Sequence, residues 1–136
     1  MSLFDSYSRE QLREMYSLAW RKHLAGSPLT PLEAMIADVV GLHPEYHGLL
    51  DAAEAAPGNA FLHMGLHMAV REQASIDRPP GVRELRRQLE ARLGDAHAAE
   101  HALMEALGET LWEAQRAGRP PDEAHYLALA QRRLPR

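Results

Sequence analysis

Signals that begin and end α-helices recur along the whole chain, and they constrain its fold more than any other feature of the sequence. Thr30-Pro31 followed by Glu33 has the form of a capping box with proline at the first helical position. No stretch alternates apolar and polar residues for long enough to indicate a strand. The predicted helices run from Ser8 to about Ala25, Thr30 to about Gly41, Pro44 to about Ala55, Ala60 to Asp77, from the end of the Arg78–Gly81 turn to about Leu93, Asp95 to about Ala117, and Pro120 to Leu134.

The length of the chain and of its loops gives the expected architecture. A chain of 136 residues has the size of one domain and can bury a core without disulfides. Loops this short favour helices that pack as antiparallel neighbours. The sequence therefore predicts an all-α fold, a compact bundle of about six helices in a single domain over residues 1–136.

Charge and composition exclude several classes of function. The net charge is −4, from 15 basic and 19 acidic residues, which argues against a nucleic-acid partner. The chain has no cysteine, so a bound transition metal has to be held by imidazole and carboxylate. No apolar run approaches the roughly 20 residues of a membrane span, and no secretory signal is evident. We expect a cytoplasmic protein with no membrane partner, and leave open its assembly into a homo-oligomer.

The spacing of the histidines is the strongest indication of function. Eight histidines occur, and chance would place roughly 0.4 pairs of them four residues apart. Side chains four apart on an α-helix are neighbours on one face, so two imidazoles can bind one metal ion. Imidazole suits zinc and iron, whereas magnesium and calcium prefer oxygen. The three pairs with this spacing are His43/His47, His63/His67 and His97/His101.

Two of these pairs are predicted to face the interior. His63 and His67 share a face of an apolar helix, and His97 and His101 lie on the apolar side of a later helix. Buried imidazoles need partners, and a shared metal would supply one. We predict that these four histidines bind one or two divalent transition-metal ions, most simply iron or zinc.

The remaining candidates form a second tier. Pro44 takes His43 out of helical geometry, which ranks His47 above His43 as a ligand. Glu45 is interpreted as a first-turn carboxylate favoured by the helix dipole. Glu100 is a further candidate ligand, and Glu100 or Glu105 is the candidate general base. His23 and His125 have no partner in spacing and are left out of the site.

The chemistry of such a site stays open between several alternatives. The segment from His97 to His101 matches the H-x-x-E-H motif of zinc peptidases, although too few residues follow it for their larger domain. The spacings of His63/His67 and His101/Glu105 also occur in hemerythrin-like di-iron bundles. A metal-dependent hydrolase and a di-iron site are thus both considered. The alternative is a metal-free interaction or structural module with a buried network of histidine and glutamate.

Several motifs together resemble a family of uncharacterised bacterial proteins, domain of unknown function 1841. Ala60 departs from that pattern, which has the proline of an Asn-Pro-Phe sequence at this position. The resemblance implies a small bacterial protein and assigns no activity, substrate or cofactor. The resembling segments are His43–His47, Asn59–His67, Arg71–Gln73, Asp77–Pro79, Glu100–His101, Leu111–Arg116, Pro120–Glu123 and Tyr126.

Overall fold

The computed structural model describes residues 9–47 and 58–135, and the regular structure in those ranges is entirely helical. The predicted all-α fold with about six helices is confirmed. Over the described residues, no helix combines the length and the apolar character that a membrane span needs. The α-helices are α1 (Arg9–Leu24), α2 (Pro31–Gly41), α3 (Gly58–Ile76), α4 (Val82–Leu93), α5 (Ala96–Ala117) and α6 (Glu123–Gln131), with a 3₁₀ turn at Pro44–Tyr46.

The chain divides into two compact units, Met1–Met68 and Ala69–Arg136. The first unit contains α1, α2, the 3₁₀ turn and the start of α3, and the second contains the rest of α3 with α4, α5 and α6. The single domain over residues 1–136 stays a prediction. Two other predictions, the Ser8 cap and the part of the short helix beyond His47, lie outside the described residues.

The start of α2 is the capping box that the sequence predicts. The Thr30 hydroxyl accepts a hydrogen bond from the Glu33 amide at 3.1 Å, and Glu33 Oε1 accepts one from the Thr30 amide at 2.9 Å. Glu33 Oε2 also accepts from Lys22 Nζ of α1 at 2.8 Å. These hydrogen bonds, of which the one from Lys22 has the largest effect, hold the pKa of the Glu33 carboxyl below its ordinary value. One side chain therefore both caps α2 and ties it to α1.

The core of the first unit fixes the face that α3 turns towards α1 and α2. Met64 and Met68 of α3 lie one turn apart and are buried in the same apolar cluster as Tyr16 and Trp20 of α1 and Val39 of α2. Because residues four apart share a face, burying these methionines also sets the orientation of the neighbouring His63 and His67.

In the second unit, α5 packs against both α4 and α6. Asp95 caps α5 as predicted, its carboxylate accepting a hydrogen bond from the Ala98 amide at 3.0 Å. The last helix differs from its prediction, because Asp122 caps it and α6 begins at Glu123 rather than at Pro120. Asp122 offers an oxygen to the amide of His125 at 3.1 Å, which a proline cannot do.

Burial of a tyrosine in the first unit leads to a prediction of alkaline sensitivity. Burial raises the pKa of the Tyr16 hydroxyl to about 12, against an ordinary value of about 10. The unfolded chain loses this proton first, so the stabilising contribution is complete below about pH 10 and is lost as the pH rises to about 12. Urea titrations across this range should show the free energy of unfolding falling by about 2 kcal/mol more in the natural protein than in Tyr16→Phe. Identical pH dependence of the two proteins would contradict the assignment.

Candidate metal centre

His43 lies just after the end of α2, in a backbone conformation that no helix provides. Its φ of −127° and ψ of 75° are non-helical, as expected for the residue before Pro44. The His43 amide still donates to the Val40 carbonyl at 3.0 Å, which keeps the turn close to α2. The ring is buried, so the departure from helical geometry brings the imidazole into the interior.

The other two histidines of the site come from α3. His63 and His67 lie one turn apart, and their ring centroids are 4.8 Å from each other. His67 is fully buried and His63 is partly buried. The prediction that this pair faces inward agrees with their placement beside the core methionines of α3.

The three rings meet through their Nε2 atoms. His43 Nε2 lies 2.9 Å from His67 Nε2 and 3.1 Å from His63 Nε2. The ring of His43 is 4.9 Å from that of His67 and 4.5 Å from that of His63, measured between centroids. We call His43, His63 and His67 the three-histidine cluster. All three residues belong to the first unit.

A carboxylate completes the surroundings of His43. Its Nδ1 lies 2.7 Å from Glu45 Oε1, and the Glu45 side chain is 59% exposed. The hydrogen bond from the His43 ring, more than any other contact, holds the pKa of the Glu45 carboxyl below its ordinary value. An ionised carboxylate only accepts hydrogen bonds, so Nδ1 of His43 carries the proton. In the neutral ring, Nε2 then presents a lone pair towards His63 and His67.

The spacing of the Nε2 atoms fits ligands of one metal ion. Two nitrogens at 2.0–2.1 Å from an ion lie about 2.9 Å apart at a right angle and about 3.4 Å apart at a tetrahedral angle. The distances of 2.9 and 3.1 Å fall in this range. They also suit hydrogen bonds, but the single lone pair of His43 Nε2 can accept only one well-directed bond. A cation would accept a lone pair from each ring of the three-histidine cluster.

The second unit holds a further histidine pair next to a buried ion pair. His97 and His101 on α5 are partly buried, with ring centroids 4.2 Å apart and one nitrogen of each within 4.8 Å of the other. Glu100 between them is almost fully buried, and its oxygens accept from Arg71 Nε at 2.9 and 3.1 Å. Arg86 Nη2 lies farther away, at 3.9 Å from Glu100. Arg71 thus gives Glu100 the partner that its burial requires.

The relationship of the chain to known proteins follows from its sequence as a whole. A family model described as "Domain of unknown function (DUF1841)" matches residues 8–132. The chain belongs to this family. The predicted resemblance is confirmed, whereas no curated protein and no solved structure matches the chain. Because membership of DUF1841 assigns no activity, function has to be argued from the geometry of the site.

In the structure of this DUF1841 protein it is His43, and not His47, that lies against His63 and His67. His47 Nε2 donates to the Val40 carbonyl at 2.9 Å, and its ring packs on Trp20 with centroids 4.3 Å apart. His47 therefore supports the turn after α2, while His43 joins the cluster. The sequence favoured His47 because Pro44 disrupts helical spacing, yet this disruption is what places His43.

The remaining sequence candidate of the DUF1841 chain, Glu105, and the two histidines that were left out of the predicted site lie at or near the surface. Glu105 is exposed and pairs with Arg133. His125 Nε2 lies 2.7 Å from Glu113 Oε2, and the ring of exposed His23 stacks on Trp20. The sequence did not single out Glu45 as a partner of His43 or Arg71 as a partner of Glu100. The two-residue separation in His43-Pro44-Glu45 could have indicated the first contact, whereas Arg71 lies 29 residues from Glu100.

Proposed function

We propose that this DUF1841 protein binds a divalent transition-metal ion through His43, His63 and His67. The observation that supports the proposal is that the Nε2 atoms of His67 and His63 lie 2.9 and 3.1 Å from the Nε2 atom of His43. Burial of His43 and His67 keeps water from competing for these nitrogens. A site of imidazoles without thiolate suits zinc or iron(II), and disfavours magnesium and calcium.

His97 and His101 are proposed as a second set of imidazole ligands, on α5. Their rings are neighbours on one helical face, with a nitrogen of each within 4.8 Å of the other. The two sets belong to different units, so each is tested by its own variants. A protein that uses both sets should lose metal in His97→Ala/His101→Ala as well as in His43→Ala.

Metal-dependent hydrolysis is the reaction class that such a site supports best. An ion held by imidazoles supplies Lewis acidity and lowers the pKa of a bound water. Of the two candidate general bases, Glu100 has both of its oxygens engaged by hydrogen bonds from Arg71 Nε. Glu105 is exposed and paired with Arg133. The proposal therefore rests on metal binding and assigns no general base.

Metal analysis of untagged protein, purified without chelator or nickel resin, tests the proposal. We expect about one equivalent of zinc or iron per chain, either as purified or after reconstitution of chelator-treated protein, since sites of this kind bind tightly. Fewer than about 0.1 equivalents, with no uptake of zinc, iron(II) or cobalt(II) on reconstitution, would overturn it.

The second candidate function is a metal-free structural or interaction module. It is favoured by the hydrogen-bond distance between His43 and His67 within the first unit and by the ion pair of Arg71 with Glu100 within the second. Polar networks of this kind can fix the packing of helices without an ion. In that case chelator treatment should leave the melting temperature unchanged, whereas loss of a bound metal should lower it.

A further inference from the structure

We infer that Glu45 is a positioning residue for the proposed metal site. It holds the His43 imidazole in the tautomer whose Nε2 is free of a proton, with that atom towards His63 and His67. The inference rests on the proposed function, because a ring nitrogen can bind a metal only through its lone pair. Nothing in the spacing of the histidines along the chain predicts this role.

The first step is the proton on Nδ1. His43 Nδ1 is 2.7 Å from Glu45 Oε1, and a carboxylate at this distance can only accept. The hydrogen bond made by one ring nitrogen decides which tautomer a neutral histidine adopts. Glu45 therefore keeps the proton of His43 away from Nε2, where it would block a metal ion. Carboxylates that bind a metal-ligating histidine in this way also fix the ring orientation and raise its basicity.

The second step is the position of Glu45 in the chain. Pro44 begins the 3₁₀ turn Pro44–Tyr46, which places Glu45 two residues after His43 and next to its ring. The Glu45 side chain is 59% exposed, whereas that of His43 is 7% exposed. Glu45 thus reaches a buried imidazole from the surface while its own charge stays hydrated. Substitution of an exposed residue leaves no cavity, so variants at this position should keep the fold.

The second unit provides a matched control. His125 Nε2 lies 2.7 Å from Glu113 Oε2, so a carboxylate again lies beside a histidine ring at the same distance. Neither residue belongs to the three-histidine cluster. Glu113→Ala therefore removes a carboxylate that lies at the same distance from a histidine ring, without touching the proposed ligands.

The experiment has two readouts, of which the first needs no metal. Long-range ¹H–¹⁵N correlation spectra of metal-free protein should show the proton of His43 on Nδ1 in the natural protein and in Glu45→Gln, whose amide oxygen still accepts. In Glu45→Ala the proton should redistribute towards Nε2. The second readout is zinc affinity, measured by competition with a chromophoric chelator. Glu45→Ala should weaken it about 10- to 100-fold, Glu45→Gln by less, and Glu113→Ala should leave it unchanged.

Each outcome decides between the two proposals. A proton on Nε2 of His43 in the natural metal-free protein would overturn the role of Glu45, and so would equal losses of zinc affinity in Glu45→Ala and Glu113→Ala. If the natural protein binds no zinc, iron(II) or cobalt(II), the proposed function fails instead. The tautomer of His43 then still shows whether Glu45 holds the ring as inferred.

Discussion

Replacing His67 with alanine is expected to weaken zinc and cobalt(II) binding by at least about 100-fold, while the helical content stays unchanged. Losing a residue that hydrogen-bonds to a metal ligand typically weakens metal affinity by up to about 100-fold. Losing a ligand itself should weaken the affinity by more. His67 Nε2 lies 2.9 Å from His43 Nε2 in a fully buried position. Competition titrations give the affinity, and far-ultraviolet circular dichroism reports the helices.

The control for this substitution is His23→Ala. His23 is exposed and its ring stacks on Trp20, outside the three-histidine cluster. Affinity in this variant should stay within about threefold of the natural value. Because His67→Ala opens a cavity in the core, His63→Ala is the second test, at a partly exposed position where less packing is lost. Natural zinc affinity in both His63→Ala and His67→Ala would show that the cluster is not the metal site.

Replacing Arg71 with alanine is expected to cost about 3–5 kcal/mol of the free energy of unfolding. The Glu100 side chain is only 3% exposed, and Arg71 Nε lies within hydrogen-bond distance of both its oxygens. Without Arg71 the carboxylate keeps the cost of burial and loses the charge-assisted hydrogen bonds from Arg71 that help to offset that cost. Arg86, at 3.9 Å, is too far to replace these hydrogen bonds. Urea unfolding followed by circular dichroism measures the loss.

Two further variants separate this effect from a general loss of an arginine. Arg87→Ala removes a comparable pair with Glu84, but both side chains are more than half exposed, so its cost should be at most about 1 kcal/mol. Adding Glu100→Gln to Arg71→Ala should recover part of the stability, because a buried amide costs less to desolvate than a buried carboxylate. If Arg71→Ala and Arg87→Ala lower the free energy of unfolding equally, burial does not determine how much the Arg71–Glu100 pair stabilises the protein.

Local signals in the sequence predicted the helices well. The capping box of Thr30 and Glu33 and the cap at Asp95 depend on contacts three residues apart, which a sequence displays directly. The start of α6 was less certain because two signals compete within three residues. Proline is favoured at a first helical position, but Asp122 supplies the hydrogen bond that caps the helix.

The candidate site was predicted only in part, since its contacts range from local to distant. The pairing of His63 with His67 follows from helical geometry alone. The approach of His43 to His67 spans 24 residues and depends on a non-helical backbone, which no periodicity displays. Arg71 and Glu100 are 29 residues apart. The burial of a carboxylate predicts that it has a partner, but not which cation supplies it.

The two tryptophans of the chain have opposite environments. Trp20 is 6% exposed and lies against His47, whereas Trp112 is 56% exposed beside the guanidinium of Arg116. They also belong to different units. A shielded indole and a hydrated one fluoresce at different wavelengths, and a quencher dissolved in water reaches only the second with ease. Intrinsic fluorescence therefore reports loosening of the first unit without an attached label, because unfolding moves the shielded Trp20 into water, whereas Trp112 is already hydrated.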